Sequence, residues 1–213
     1  MGAVFLDLDG TLSDSARPIT ASIAHALDRS GVAVPEVDTL RRYVGPPLSD
    51  TFAHLGVADV ETALAAYRAH YHAIMFDAPV FDGVFAALDV LKAQNRRLYL
   101  MTAKPRAYAI KITAHLGLAE YLTAEYGPEL DGTGARKSDL LARALAETGE
   151  EAGQSVMVGD RAHDLQAGQA NDMPVIAALW GYGSDAEMQG ANRALHHPAD
   201  LSGAVTDLIG EAT

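Results

Sequence analysis

The 213-residue sequence contains no cysteine, a single tryptophan and no long run of apolar residues. Without cysteine, neither disulfides nor thiolate chemistry can contribute to stability or function. No segment approaches the length of a membrane-spanning helix, and the N-terminus lacks the basic and apolar regions of a secretion signal. We therefore expect a cytoplasmic protein with no membrane contact.

Basic residues are also scarce, because 16 Lys and Arg accompany 28 Asp and Glu, which gives a net charge of −12. A chain of this charge repels a nucleic-acid polymer unless its basic residues cluster strongly, and they do not. A small anionic ligand is compatible with this charge, since a local site can be positive within a negative molecule. The sequence leaves monomer and homodimer open.

The sequence has two regions with different patterns: one predicts helices almost throughout, and the other predicts strands that alternate with helices. Residues 17 to 77 carry apolar residues at helical spacing, whereas from residue 83 onward apolar strands alternate with amphipathic helices. The alternation predicts an α/β fold, with a Rossmann-like parallel sheet as its core. We expect this core to comprise residues 1–13 and 82–213, with an inserted helical cap domain over residues 14–81.

Polar residues follow several of the predicted strands, where open parallel sheets bind their ligands. Any one of them alone is ordinary as a helix cap, a turn former or a surface charge. Together at one sheet edge they would supply carboxylates, a hydroxyl and ammonium groups, which suits Mg²⁺ and a phosphoryl group. These residues are Asp7, Asp9, Thr102, Lys104, Lys137, Asp160 and Asp164.

Four stretches in this order resemble the motifs of the haloacid dehalogenase superfamily of phosphohydrolases. They are "DLDGTLSDS", "MTAKP", "KSDLL" and "VGDRAHDL". The helical segment after the first motif is similar to the small cap of the phosphoglycolate-phosphatase-like branch. The resemblance implies a Mg²⁺-dependent phosphatase that acts on a small phosphorylated metabolite, such as phosphoglycolate or a nucleoside monophosphate.

The resemblance also implies individual roles for the acidic residues. Asp7 would be the nucleophile that forms an aspartyl-phosphate, and Asp9 the general acid and then the base. The carboxylates of Asp7 and Asp160 and the backbone carbonyl of Asp9 would bind Mg²⁺. Asp164 would orient these ligands.

Three further residues are expected, on the same resemblance, to bind the transferred phosphoryl group. Thr102 and the backbone amide of Ala103 would donate to its oxygens, and Lys137 would offset negative charge on Asp7 and on the phosphoryl group. Within the predicted cap, "RRYVGPPLSDTF" suggests Arg42, Tyr43 and Gly45 as residues that select the substrate. The segment "WGYGSDAEM" resembles a region beside the mouth of the active site.

Two alternatives remain open at this point. A sugar phosphomutase of the same superfamily would keep both Asp7 and Asp9. A catalytically inactive member would bind a phosphometabolite, although such proteins normally lose an aspartate that this chain retains. A metal-independent dehalogenase is disfavoured by Asp9, and a phosphonate-cleaving enzyme by the absence of lysine between residues 14 and 80.

Overall fold

A computed structural model describes residues 2–211, which contain one six-stranded sheet. The strands are β1 (Ala3–Leu6), β2 (Arg97–Met101), β3 (Ala124–Tyr126), β4 (Ser155–Gly159), β5 (Val175–Ala178) and β6 (Arg193–Leu195). They lie in the order β3-β2-β1-β4-β5-β6, and every neighbouring pair is parallel. The predicted α/β fold with a Rossmann-like parallel sheet is therefore confirmed.

Nine α-helices accompany the sheet in the described part of the chain. They are α1 (Ala16–Arg29), α2 (Val37–Leu40), α3 (Leu48–His54), α4 (Val60–Ile74), α5 (Val84–Ala93), α6 (Arg106–His115), α7 (Lys137–Thr148), α8 (Ala162–Ala170) and α9 (Leu201–Ile209). None of the helices within residues 2–211 combines the length and hydrophobicity that a membrane-spanning helix requires. The first four follow β1 directly, and the other five surround the sheet.

The central strand β1 buries both of its faces, because successive side chains point to opposite sides of the sheet. Val4 and Leu6 belong to one apolar cluster, which also contains residues of α5 and α9. Ala3 and Phe5 belong to a second cluster, which contains residues of α7 and α8. The residue after Leu6 therefore falls on the side covered by α7 and α8.

The segment between β1 and α5 is helical, and its α1 packs along α4. Its two ends run side by side, since Asp14 donates its amide to the carbonyl of Pro79 at 2.8 Å and Phe81 donates to Leu12 at 3.1 Å. The same apolar cluster that includes Val4 and Leu6 continues into this segment. We call residues 14–81 the helical insertion, and we propose that this is a separate domain with the boundaries that the sequence predicts.

The short strands β3 and β6 and the helix α9 have no counterpart in the sequence prediction. Both strands are three residues long and occupy the edges of the sheet. Such strands show little alternation, so their pairing with β2 and β5 defines them more than their own residues do.

Candidate active site

Asp7 lies at the end of β1, where it meets a lysine from the helices that cover that face. Its backbone amide donates to the carbonyl of Val158 at 2.9 Å, which extends the pairing of β1 with β4 by one residue. Its Oδ1 lies 2.8 Å from Nζ of Lys137, the first residue of α7. Lys137 also contacts Asp164 in α8, and all three side chains are buried.

Asp9 has a different lysine partner, since its Oδ2 lies 2.9 Å from Nζ of Lys104. The sequence pattern places Asp7 and Asp9 on one face of a continuous strand, but β1 ends at Leu6 and the chain turns at Gly10, whose φ is +83°. Strand alternation therefore does not extend to Asp9. Asp7 and Asp9 therefore contact different lysines, Lys137 and Lys104.

Asp160 follows β4 and is fully buried. Its Oδ2 accepts a hydrogen bond from the backbone amide of Tyr182 at 2.8 Å, whereas Oδ1 has no hydrogen-bond partner in the part of the chain that the structure describes. A Cβ at Gly10 would lie 2.2 Å from Oδ2 of Asp160, and one at Gly181 would lie 2.6 Å away. Only glycine at these two positions allows the turn after β1 and the segment around residue 181 to enclose this carboxylate.

The electrostatics of these acids depend on burial and on Lys137. Burial raises the pKa of Asp7 to about 7, although the nearby Lys137 opposes the change. Burial, together with the charges of Asp164 and Asp7, raises the pKa of Asp160 well above its usual range. Burial is also the largest single influence on Asp164, but Lys137, His163 and the backbone amide of Arg161 together outweigh it and hold the pKa of Asp164 below its usual value. Asp7 and Asp160 therefore lack sufficient positive charge from the protein.

The buried charges at this sheet edge fit a divalent cation. Within the described residues, four buried carboxylates lie near the ammonium groups of two buried lysines, Lys104 and Lys137, and the buried Arg161 pairs with Glu187. An oxygen-rich site with an unpartnered oxygen on Asp160 suits a hard ion such as Mg²⁺. The four acids are Asp7, Asp9, Asp160 and Asp164.

One potential ligand set of the described residues combines Asp7, His163 and Asp164, whose ligand atoms all lie within 4.8 Å of one another. Lys137 contacts both of these carboxylates, so a cation already occupies the space between them. Burial lowers the pKa of His163 to about 4, so its imidazole is neutral at pH 7. Asp160, whose Oδ1 has no hydrogen-bond partner among the described residues, is the better candidate to join Asp7 as an ion ligand.

Thr102 and Ala103 follow β2 and line the same cavity as Asp7 and Asp9. The Thr102 amide donates to the carbonyl of Tyr126 at 3.0 Å, and its Oγ1 accepts the amide of Lys104 at 3.1 Å. The hydroxyl hydrogen of Thr102 has no acceptor among these contacts. The arrangement leaves one donor available to a ligand above Asp7.

A cavity of about 310 Å³ separates this sheet edge from the helical insertion. One side is lined by Asp7, Asp9 and Thr102, and the other by the aromatic rings of Tyr43, Tyr67 and Tyr71. Tyr71 lies next to Lys104, with its hydroxyl 2.8 Å from Nζ and its ring centroid 4.7 Å away. The acidic site is thus covered by a mainly apolar and aromatic surface, which also includes Arg68.

The structure separates the three residues of the insertion that the sequence suggests for substrate selection. Tyr43 and Gly45 line the cavity. The side chain of Arg42 is exposed and does not line it; only its backbone carbonyl is used, as an acceptor for Arg161. The predicted contact of Arg42 with a substrate anion is therefore not supported, because the short 3₁₀ helix Arg41–Tyr43 places Tyr43 and not Arg42 at the cavity.

Several contacts around the site involve residues to which sequence reasoning gives no role. The segment "WGYGSDAEM" is correctly placed beside the site, because Trp180 donates Nε1 to the carbonyl of Thr11 at 2.9 Å. Tyr182 donates its hydroxyl to Asp14 at 2.7 Å and accepts the amide of Ala16 at 2.9 Å. No spacing in the sequence links these residues, which lie more than 160 positions apart.

Comparison with known proteins gives the class to which this fold and site belong. The family model for haloacid dehalogenase-like hydrolases matches residues 4–178. The chain belongs to this family of hydrolases.

Relatives within the family carry several different names. The chain is 35% identical to a 5′-nucleotidase from Pseudomonas aeruginosa, over 93% of this chain and 91% of that protein. It is 34% identical to a phosphoglycolate phosphatase from Xanthomonas campestris, over 84% of each. It is also 39% identical to the tyrosine-protein kinase PtkA of Mycobacterium tuberculosis, over 84% of this chain, but it spans only 62% of the length of that relative.

Solved structures agree on the fold over almost the whole chain. A structure described as a predicted phosphatase from Clostridium acetobutylicum superimposes with a TM-score of 0.92 and 33% identity, covering 97% of this chain and 99% of that one. The M. tuberculosis PtkA structure gives a TM-score of 0.84 and 34% identity, with coverage of 96% and 98%.

Proposed function

We propose that the chain is a Mg²⁺-dependent phosphatase that hydrolyses a small phosphomonoester through an aspartyl-phosphate. The observation that carries this proposal is the pairing of a buried aspartate, Asp7, with Lys137 at the floor of a cavity whose carboxylates exceed its ammonium groups. The named phosphatases and the nucleotidase among its relatives support the same reaction class.

In the first step an oxygen of Asp7 attacks phosphorus, and the bond between phosphorus and the ester oxygen breaks. Asp9, in its protonated form, gives its proton to the departing ester oxygen. Thr102 and the amide of Ala103 donate to the phosphoryl oxygens, and Lys137 balances the growing negative charge. A divalent ion held by Asp7, Asp160 and the carbonyl of Asp9 would supply further positive charge beside the phosphoryl group.

In the second step Asp9 acts as a base. It takes a proton from water, the water oxygen attacks the phosphorus of the aspartyl-phosphate, and the bond to Asp7 breaks. The products are inorganic phosphate and free Asp7.

The cavity favours a substrate with a planar leaving group. The volume of about 310 Å³ and the three tyrosines suit a nucleoside monophosphate better than the two-carbon phosphoglycolate. The planar base of such a substrate would stack on these rings. We propose a small phosphorylated metabolite as the natural ligand, handled in the cytoplasm.

The test is release of p-nitrophenol from p-nitrophenyl phosphate by the purified protein, with Mg²⁺ and with a chelator. We expect turnover that requires the metal and is lost in Asp7→Asn. A panel of 5′-nucleoside monophosphates, phosphoglycolate and pyrophosphate then ranks substrates by kcat/KM. Absence of metal-dependent turnover on every compound would favour the inactive, ligand-binding alternative.

Two other reactions are distinguished from hydrolysis by their products. A sugar phosphomutase would convert a sugar phosphate into its isomer with little free phosphate. A protein kinase, the activity named for the mycobacterial relative, would move phosphate from ATP to tyrosine. Free phosphate as the main product supports hydrolysis over both.

A further inference from the structure

Arg161 joins the acidic site to the helical insertion. It follows Asp160 directly and precedes α8, and it is only 8% exposed. Its Nη1 donates to the backbone carbonyl of Val44, and both Nη atoms lie 3.3 Å from the carbonyl of Arg42. The arginine therefore binds two carbonyls of one turn, 117 and 119 residues away in the chain.

The turn that Arg161 binds, residues 42–45, fits closely against it. Gly45 has a φ of +105°, and a Cβ at this position would lie 3.1 Å from Cγ of Arg161 and 3.5 Å from Cε1 of His163. The contact uses the backbone of the turn and no charged side chain. The interaction therefore depends on the backbone conformation of the turn, to which Gly45 contributes, and not on a charged side chain.

Glu187 fixes the orientation of the guanidinium. Its Oε1 lies 2.8 Å from Nε of Arg161 and accepts the amide of Ala162 at 2.9 Å. With Nε occupied in this way, the remaining donors of the planar group face the turn in a fixed fork. A lysine at this position would carry the same charge but could not donate hydrogen bonds to both carbonyls with this planar geometry.

The turn carries Tyr43 and Gly45, which line the substrate cavity opposite Asp7. We propose that Arg161 is a positioning residue that holds residues 42–45 against the core and so fixes the wall of the substrate cavity. The proposal rests on the proposed function for its kinetic consequence, whereas its structural consequence is independent of any activity.

The structural consequence is measured first, because the chain has no cysteine and accepts label sites freely. Asp50 and Ala170 are both exposed, one in α3 of the insertion and one in α8 of the core. We expect spin labels on Asp50→Cys and Ala170→Cys to give a narrow distance distribution. Adding Arg161→Lys should broaden it or move its mean by more than about 3 Å.

Kinetics with p-nitrophenyl phosphate provide the second measurement. We expect Arg161→Lys to raise KM about five- to tenfold while kcat changes less than about threefold, since the turn lines the cavity and supplies none of the proposed reacting groups. Glu187→Gln should also raise KM more than it changes kcat, but by a smaller factor. This variant replaces Arg161→Lys in the test if Arg161→Lys fails to fold. Arg143→Lys is the matched control, because Arg143 is exposed on α7 and pairs only with Glu147 in an ordinary helical spacing.

Three results would overturn the proposal. The first is an unchanged distance distribution in both Arg161→Lys and Glu187→Gln. The second is full retention of KM in Arg161→Lys, which would show that only the charge matters. The third is a fall in kcat with weaker Mg²⁺ dependence, which would make Arg161 part of the ion site. If the protein shows no phosphatase activity, the proposed function fails but the distance measurement still decides the role of Arg161.

Discussion

The two sides of the cavity differ in how their residues are held in place. The floor consists of Asp7, Asp9 and Thr102, which are buried and follow strands of the core. Lys137, at the start of α7, contacts Asp7, and the buried Asp160 follows β4 at the same edge of the sheet. The roof consists of Tyr43, Gly45, Tyr67 and Tyr71, which come from the helical insertion.

The floor carries carboxylates and hydrogen-bond donors, whereas the roof is mainly apolar and aromatic and contributes one charged residue, Arg68. Relatives of this chain are named a nucleotidase, a phosphoglycolate phosphatase and a kinase. In this view the floor sets the phosphoryl chemistry and the roof sets the substrate. Variants of the floor should therefore lower kcat, and variants of the roof should raise KM.

The largest expected effect is that of Asp7→Asn. Loss of the proposed nucleophile should reduce kcat by at least about 10³-fold, because the amide of Asn does not attack phosphorus as the carboxylate does. Asp14→Asn is the control, since Asp14 accepts a hydrogen bond from Tyr182 at the start of the insertion and its amide replacement can do the same. Steady-state rates with p-nitrophenyl phosphate measure both, and comparable losses in the two variants would contradict the floor assignment.

Thr102→Val should have the next largest effect. Removing one hydroxyl donor to the transferred phosphoryl group should lower kcat by about 10²-fold. Thr102→Ser retains the hydroxyl and should recover most of the rate. A full loss in the serine variant would indicate that Thr102 acts only through packing.

Tyr43→Ala tests the roof. The ring lines the cavity, so its removal should raise KM for a nucleoside monophosphate about fivefold and leave kcat within about twofold. Arg42→Ala is its neighbour-matched control, because that side chain is exposed and outside the cavity. A larger rise in KM for Arg42→Ala would restore the role that the sequence suggests for Arg42.

The smallest effect concerns stability and comes from Asp160. The folded-state pKa of this carboxyl is raised by burial, so in metal-free protein it destabilises the fold as pH rises above the pKa of the unfolded chain. Asp160→Asn should therefore raise Tm at pH 7 by about 2–4 °C, if the gain is about 1 kcal/mol, and by little near pH 4.

Thermal unfolding in a chelator at both pH values measures this gain. Added Mg²⁺ should raise the Tm of the parent protein and more so at pH 8 than at pH 5, because the ion competes with protons for these carboxylates. Added Mg²⁺ should leave the Tm of Asp160→Asn nearly unchanged. An equal Mg²⁺ effect in both proteins would remove Asp160 from the ion site.

The residues of the floor can be predicted from the sequence more readily than those of the roof, and the reason is physical. Residues such as Asp7, Thr102 and Asp160 follow apolar strands, and parallel strands bring their carboxyl ends to one edge whatever the rest of the chain does. The fold class follows from the same alternation of strands and helices. The exact partners do not, since the end of β1 at Leu6 gives Asp9 its own lysine.

The roof depends on how the insertion packs against the core, and no local pattern encodes that. The charge of Arg42 makes it a candidate for substrate selection in the sequence, yet in the structure its backbone carbonyl accepts a hydrogen bond from Arg161 and its side chain is exposed. Arg161 binds that carbonyl and the carbonyl of Val44, and backbone carbonyls have no sequence signal. The edge strands β3 and β6 are missed for a related reason, because pairing and not composition defines them.

The central claim is that Asp7 carries the phosphoryl group during turnover. The most direct measurement is acid quenching of the Mg²⁺-loaded protein during hydrolysis of p-nitrophenyl phosphate, followed by mass spectrometry of the peptide that contains Asp7. Asp9→Asn should accumulate the intermediate, because it lacks the base that activates water. We predict one added phosphoryl group on Asp7, absent from Asp7→Asn; rapid turnover with no phosphorylated Asp7 in either the parent protein or Asp9→Asn would contradict the account.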